Sequence, residues 1–236
     1  MIIYALKAMA GKLAPTPDTF QTIAKDISAR LPREKLVTFF DVGANSGQTI
    51  EKFSASYASA RIFSFEPNPQ TFKTLSANAK GANTFNIGLS SIQGSLRFDT
   101  SGSDDMHRIA ADQSDQSLPI VEVKTLDHVS AELGVSGIDY LKIDTEGHDL
   151  EVLKGAKQLL HQSRISIIET ECGVSRENTH HVPFCQIHSY LEGFGYRLFG
   201  IYEQVPEWTK SQPQLRRVNS VFISMSVIER NPYSPW

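Results

Sequence analysis

The sequence predicts an α/β protein with an open, mostly parallel central sheet and an antiparallel C-terminal strand. Three observations carry that prediction. Short apolar runs alternate with segments of helical periodicity along most of the chain. Several of the runs close on an acid, as at Asp41, Glu66, Asp144 and Glu169. The last two apolar runs, Tyr196 to Tyr202 and Val218 to Met225, are placed to pair antiparallel. Strands alternating with helices imply right-handed crossovers, and such sheets bind ligands at the carboxyl ends of their strands.

The elements follow in order. Thr16-Pro17 reads as a cap and first-turn pair, and Phe20, Ile23, Ala24, Ile27 and Leu31 recur at helical spacing up to Pro32. Residues 1–35 are set apart as an N-terminal helical extension, and 36–236 as the main domain. Leu36 to Asp41 is a buried parallel strand, Gly43 to Gly47 a turn, and Ile50, Phe53 and Tyr57 mark a helix. Arg61 to Glu66 is the second strand. A helix with Phe72 and Leu75 inward follows Pro67-Asn68-Pro69. A third strand runs near Thr84 to Leu89. Gly94 to Phe98 and Pro119 to Val123 are extra strands around a polar loop, Ser101 to His107. A short helix covers Leu126 to Leu133, and Ile138 to Asp144 is the fourth core strand. One helix runs through Leu150, Leu153, Ala156 and Leu160, and Arg164 to Glu169 is the fifth strand. Trp208, between Pro206 and Pro213, reads as a lid or packing loop.

Composition bounds the function. The 236 residues suffice for one sizeable core, and 40% hydrophobic with 21% charged residues is ordinary for a globular protein. A net charge of -3 supplies no overall positive field for nucleic acid, although Arg216-Arg217 is a local basic patch. Two cysteines, Cys172 and Cys185, read as free thiols. The N-terminus lacks the features of a signal peptide and no run is long enough to span a membrane, so a cytoplasmic protein is expected.

Three constellations carry chemistry. In Asp41-Val42-Gly43-Ala44-Asn45-Ser46-Gly47 the glycines are spaced G-x-x-x-G, not the G-x-G-x-x-G of dinucleotide folds. An acid at that strand end suits a ligand with a cationic amine; the plain alternative is an ordinary tight turn. Glu66 follows about 20 residues later, where an acid can accept hydrogen bonds from both hydroxyls of a ribose. Its alternative is a solvated surface glutamate. In Asp144-Thr145-Glu146-Gly147-His148-Asp149 four ionisable groups crowd a strand end, where mutual repulsion shifts pKa values. The alternative there is charge favouring a helix N-terminus. His180, His181, Cys185 and His188 could gather a soft metal, but their spacing matches no zinc pattern, and a loop entering a helix fits better.

These three motifs, with the continuation Leu150-Glu151-Val152-Leu153-Lys154-Gly155-Ala156, resemble the FkbM family of methyltransferases from about residue 37 to 170. Weaker echoes lie at Thr125-Leu126-Asp127 and Asn219-Ser220-Val221-Phe222. The resemblance implies a Rossmann-like class I methyltransferase fold, S-adenosylmethionine as cofactor, and O-methylation of a polyketide hydroxyl or of a sugar in a glycan or glycolipid. It places the methionine part on Asp41, Gly43, Asn45 and Gly47, and the ribose on Glu66, with Asn68 of the same motif also on the cofactor. Asp144, His148 and Glu146 are the catalytic candidates, since a methylated hydroxyl needs a positioned base. A broader likeness to catechol-type and macrocin-type methyltransferases implies Mg²⁺ on Asp144 and Glu169 or Glu171. The expected partner is a small-molecule or saccharide acceptor. The rivals are a binding module that has lost catalysis, and methylation of another acceptor atom.

Overall fold

The computed structural model describes residues 19–101, 106–207 and 214–232. Helix α1 (Thr19–Arg30) precedes the alternation β1 (Thr38–Val42), α2 (Gln48–Ser56), β2 (Arg61–Phe65), α3 (Pro69–Asn78) and β3 (Asn83–Phe85). Then come β4 (Gly88–Leu89), β5 (Gly94–Asp99), β6 (Arg108–Ile109), β7 (Ile120–Lys124) and α4 (Leu126–Glu132). The rest is β8 (Ile138–Ile143), α5 (Asp149–Lys154), α6 (Lys157–His161), β9 (Ile165–Gly173), α7 (Phe184–Glu192), β10 (Arg197–Pro206), β11 (Leu215–Ile223) and α8 (Met225–Arg230).

Seven strands form the main sheet in the order β10-β11-β9-β8-β1-β2-β3. β3, β2, β1, β8 and β9 run parallel, while β11 enters antiparallel between β9 and β10. The chain leaves β1 toward β2 on one side and continues from β8 to β9 on the other. The topological switch therefore lies between β1 and β8, where such sheets open a crevice. A second sheet, β4-β7-β5-β6, stands beside it with a small core of Phe98, Val121 and Val123.

Alternation along each strand divides the main core in two. Phe40, Val42, Phe63, Leu141, Ile143 and Ile168 face α4 to α7. Phe39, Tyr140, Ile167 and Val221 face α1, α2 and α8. Phe53 lies among Phe20, Phe39 and Tyr140, with ring centres 4.4 to 5.6 Å away and no exposure. Phe53→Ala should therefore cost about 3–5 kcal/mol, read as a lowered denaturation midpoint in urea. A shift below about 1 kcal/mol would mean that α1 and α2 contribute little to the core.

The structure departs from the sequence-based expectations in four places. The helix expected through residues 150–160 is two: Asp127 accepts from the N–H groups of Gln158 and Leu159, which starts α6 afresh. The fifth strand runs on to Gly173 because β11 pairs with it from Ile167 to Gly173. The stretch expected as one strand to Leu89 is split between the two sheets. The last strand ends at Ile223, where Ser224 caps α8 by accepting from the N–H of Val227. The proposed Thr16-Pro17 cap and the Trp208 loop lie outside the described residues. Among the described residues no helix is long and apolar enough to cross a membrane.

Candidate active site

A cleft of about 680 Å³ opens over the switch point. Its floor is the turn after β1 and the end of β8. Gly43 sits at φ +81, and a Cβ there would overlap the carbonyl oxygen of Asp144, so only glycine lets the two strand ends meet. Asn45 also adopts a left-handed conformation, at φ 47. Val42, Gly43, Ala44 and Asn45 line the cleft, with Glu66 and Pro67 beside them.

Glu66 is 6% exposed. Its Oε2 accepts from the N–H of Asn45 at 3.0 Å and its Oε1 from that of Asn68 at 2.8 Å. Burial pushes its pKa up to about 7 despite those two donors. Each oxygen keeps lone-pair capacity toward the cleft.

Three of the residues expected on the cofactor do not line the cleft. Asp41 is 0% exposed on the sheet face, with Lys142 Nζ 3.9 Å away. Burial raises its pKa to about 6, and neither carboxylate oxygen has a hydrogen-bond partner among the described residues. It supports the floor from beneath. Gly47 opens α2 and Asn68 caps α3, accepting from the N–H of Gln70 at 2.9 Å. Neither lines the cleft.

The other half of the cleft is the β8–α5 turn. Asp144 is paired with Lys142 at 2.9 Å. Burial alone would raise its pKa, but that cation holds it below the ordinary carboxylate value. Glu146, at φ 52, has no such cation. Its Oε2 lies 2.7 Å from His180 Nε2 and 3.5 Å from His181 Nε2. Burial, and then Asp144, push its pKa up to about 7. Gly147, at φ +101, is pressed so closely on the backbone carbonyl of His180 that a side chain would not fit. His148 lines the cleft too, but its Nε2 is 2.9 Å from Ser90 Oγ, and burial lowers its pKa. Asp149 is 1% exposed and accepts from the hydroxyls of Thr145 and Thr170, so it ties the turn to β9.

Facing this turn are His180, His181, Glu171 and three arginines. Burial and neighbouring Arg108 push the pKa of His180 down to about 4. Burial also lowers that of His181, which lies 2.6 Å from Glu171 Oε2. Glu171 pairs through its other oxygen with Arg217. Arg108, Arg216 and Arg217 all line the cleft. Sequence signals pointed to Arg216-Arg217 only as a patch, and nothing near Arg108 marked it; the second sheet brings it in.

Of the two acids expected beside Asp144, the structure brings up Glu171, whose carboxylate lies with those of Asp144 and Glu146 within 4.8 Å, and not Glu169. Glu169 does not join Asp144: it is 3% exposed and accepts from Tyr140 Oη at 2.6 Å and from Asn219 Nδ2 at 3.0 Å. It belongs to the row Asp41–Lys142–Glu169 across β1, β8 and β9, of which only Lys142 reaches the cleft. An Mg²⁺ ion on Asp144 and Glu169 does not fit. Nor do Cys185 and His188 join His180 and His181: Cys185 is exposed on α7, and His188 packs against Phe184 and Phe222.

Residues 41–198, more than half of the chain, match the family described as the methyltransferase FkbM domain. The chain belongs to the FkbM methyltransferase family. The sheet order of this FkbM family member is Rossmann-like. It is 33% identical over 143 residues to the hexuronic acid methyltransferase AglP of Haloferax volcanii, a match covering 57% of this chain and 56% of that protein. The chain thus spans about half the length of that curated relative. Among solved structures it resembles TrmK of M. capricolum in complex with S-adenosylhomocysteine, at TM-score 0.49 and 10% identity, over 87% of this chain and 67% of that one. It also resembles the 1,6-didemethyltoxoflavin-N1-methyltransferase of Burkholderia thailandensis, at TM-score 0.48 and 9% identity, over 88% and 78%. The strand order, rather than these distant likenesses, fixes the fold of this FkbM family member.

Proposed function

We propose that this FkbM methyltransferase methylates a hydroxyl oxygen of an acidic saccharide. The observation that carries the reading is Glu146, a carboxylate with a pKa of about 7 at the end of β8, in the same cleft as the Gly43–Asn45 turn and Glu66. Two further points support it. The relative from Haloferax volcanii is named for a hexuronic acid. Arg108, Arg216 and Arg217 supply donors suited to a carboxylate.

On this reading the backbone from Gly43 to Asn45 receives the methionine part and Glu66 the ribose. The bound cofactor supplies an electrophilic methyl group. The chain's own residues orient the acceptor and take its proton, the latter at the cluster centred on Glu146. Asp144, held ionised by Lys142, and His148, engaged with Ser90, are the weaker bases.

Incubating the full chain with methyl-labelled cofactor and a panel of hexuronic acid glycosides and neutral hexosides tests this. Labelled ether on the acidic sugars, with release of S-adenosylhomocysteine, is expected. Cofactor binding without release for any saccharide would sink the proposal.

Glu66 gives a pH dependence. Its pKa in the free protein, about 7, lies above the ordinary carboxylate value, so the charged form prevails only above neutrality. Ribose hydroxyls donate best to that charged form. S-adenosylhomocysteine affinity should therefore rise as pH increases through about 7 and level off above it, and Glu66→Gln should flatten the curve. Calorimetry across that range decides; a wild-type curve as flat as the variant's would remove Glu66 from the ribose.

A further inference from the structure

Glu146 is the meeting point of two groups of ligand-type side chains. One donor atom each from Glu146, His180 and His181 lie within 4.8 Å of one another, and so do those of Asp144, Glu146 and Glu171. Donor atoms about 2.0–2.2 Å from one ion must be roughly 3–4 Å apart. His181 Nε2 lies 3.5 Å from Glu146 Oε2, within that range, and 2.6 Å from Glu171 Oε2, a hydrogen-bond distance that must open by about half an ångström as an ion replaces the shared proton.

The arrangement is held from behind. Asn178 Oδ1 accepts from the N–H groups of His180 and His181, and its Nδ2 donates to the carbonyl of Arg216. The same amide stands about 3 Å from Nδ1 of His181, as donor or acceptor, so the ring can turn a lone pair on Nε2 toward Glu146 and Glu171. Arg217 holds the outer oxygen of Glu171. Such outer contacts orient the ligands of metal sites. His181 and Glu171 are only 6% and 8% exposed, so neither is a mobile surface group.

His180 has a different part. Arg108 can only donate, so at 2.8 Å from Nδ1 it leaves the ring proton on Nε2. That nitrogen lies 2.7 Å from Glu146 but off the hydrogen-bonding direction, and has no hydrogen-bond partner among the described residues. It is a donor awaiting an oxygen, not a ligand.

We propose that Glu146, Glu171 and His181 hold one divalent first-row transition-metal ion, with open positions toward the cleft and His180 donating to an oxygen bound there. Three protein ligands with open positions are the pattern of catalytic rather than structural sites. An imidazole with two carboxylates favours zinc, cobalt, manganese or iron over magnesium, whose shell is built from oxygen. The ion offsets the negative charge of Glu146, the acid in this cluster with neither Lys142 nor Arg217 as its ion-pair partner. Its place beside the acceptor rests on the functional reading above; its ligands do not.

The test uses the full chain, stripped with a chelator and shown still to bind S-adenosylhomocysteine. Co²⁺ is titrated by visible absorption and Zn²⁺ by calorimetry, with Mg²⁺ for comparison. One Co²⁺ or Zn²⁺ per chain is expected, with Mg²⁺ far weaker. His181→Ala and Glu146→Gln should each weaken binding by at least about tenfold, and His188→Ala should not change it. No uptake by the cofactor-competent wild type, or uptake that survives both variants, would overturn the site. Full methyl transfer without ion uptake removes the ion and leaves the functional reading standing. Ion binding without methyl transfer to any saccharide removes the functional reading and leaves the ion.

Discussion

Glu146→Gln is expected to lower methyl transfer by about 10²–10⁴-fold while S-adenosylhomocysteine binding stays near normal. The variant keeps the size of the side chain but removes its charge and turns one acceptor oxygen into an NH₂ donor that cannot take a proton. That charge is poorly compensated: its imidazole neighbours have pKa values pushed down by burial, while Asp144 and Glu171 have Lys142 and Arg217. Asp144→Asn should be the milder change, because its carboxylate is spent on Lys142. Turnover and product affinity measured side by side decide the matter. Near-normal turnover in Glu146→Gln, with a severe loss in Asp144→Asn, would move the chemistry one residue pair back along the turn.

Gly43→Ala should affect the cofactor end as strongly. The new methyl group would occupy the space of the Asp144 carbonyl, and φ +81 is strained for any residue with a Cβ. Strain and overpacking together should cost about 2–5 kcal/mol of stability. The turn between β1 and α2 must move to relieve the overlap, so S-adenosylhomocysteine affinity should fall by at least about tenfold. Thermal unfolding and calorimetry read both effects. A stable variant with unchanged affinity would show that the contact between the strand ends does not shape the donor site.

How much of this was legible in the sequence depends on how local the cause is. The strands at Thr38–Val42, Arg61–Phe65 and Ile138–Ile143 are short apolar runs closed by acids and turns, and the pattern alone locates them. The glycine turn and Glu66 were legible because position after a strand implies position at the ligand edge. The side-chain direction of Asp41 was not: one residue earlier than the turn puts it on the sheet face, under Lys142. Asn68 looked like a ligand residue but serves its own helix, a competition that a polar residue before Pro69 always poses. The extension of β9 to Glu171 depends on β11, about fifty residues later, and so left no local trace. For the same reason the meeting of Glu146 with His180 and His181 was hidden, while the sequence neighbours Cys185 and His188 proved irrelevant to it. Arg108 reaches the cleft only through pairing of the second sheet.

That second sheet has its own small core of Phe98, Val121 and Val123, distinct from the two that clothe the main sheet. Of the cleft-facing side chains beside it, Met106 and Ile109 belong to neither of those two clusters, whereas His107 is tied to Asn68 and Arg108 to His180. Donor recognition and acceptor choice become separable traits within one chain. On the proposed reading, a new acceptor is acquired by rewriting positions such as Met106 and Ile109, with the methyl-donor chemistry inherited intact.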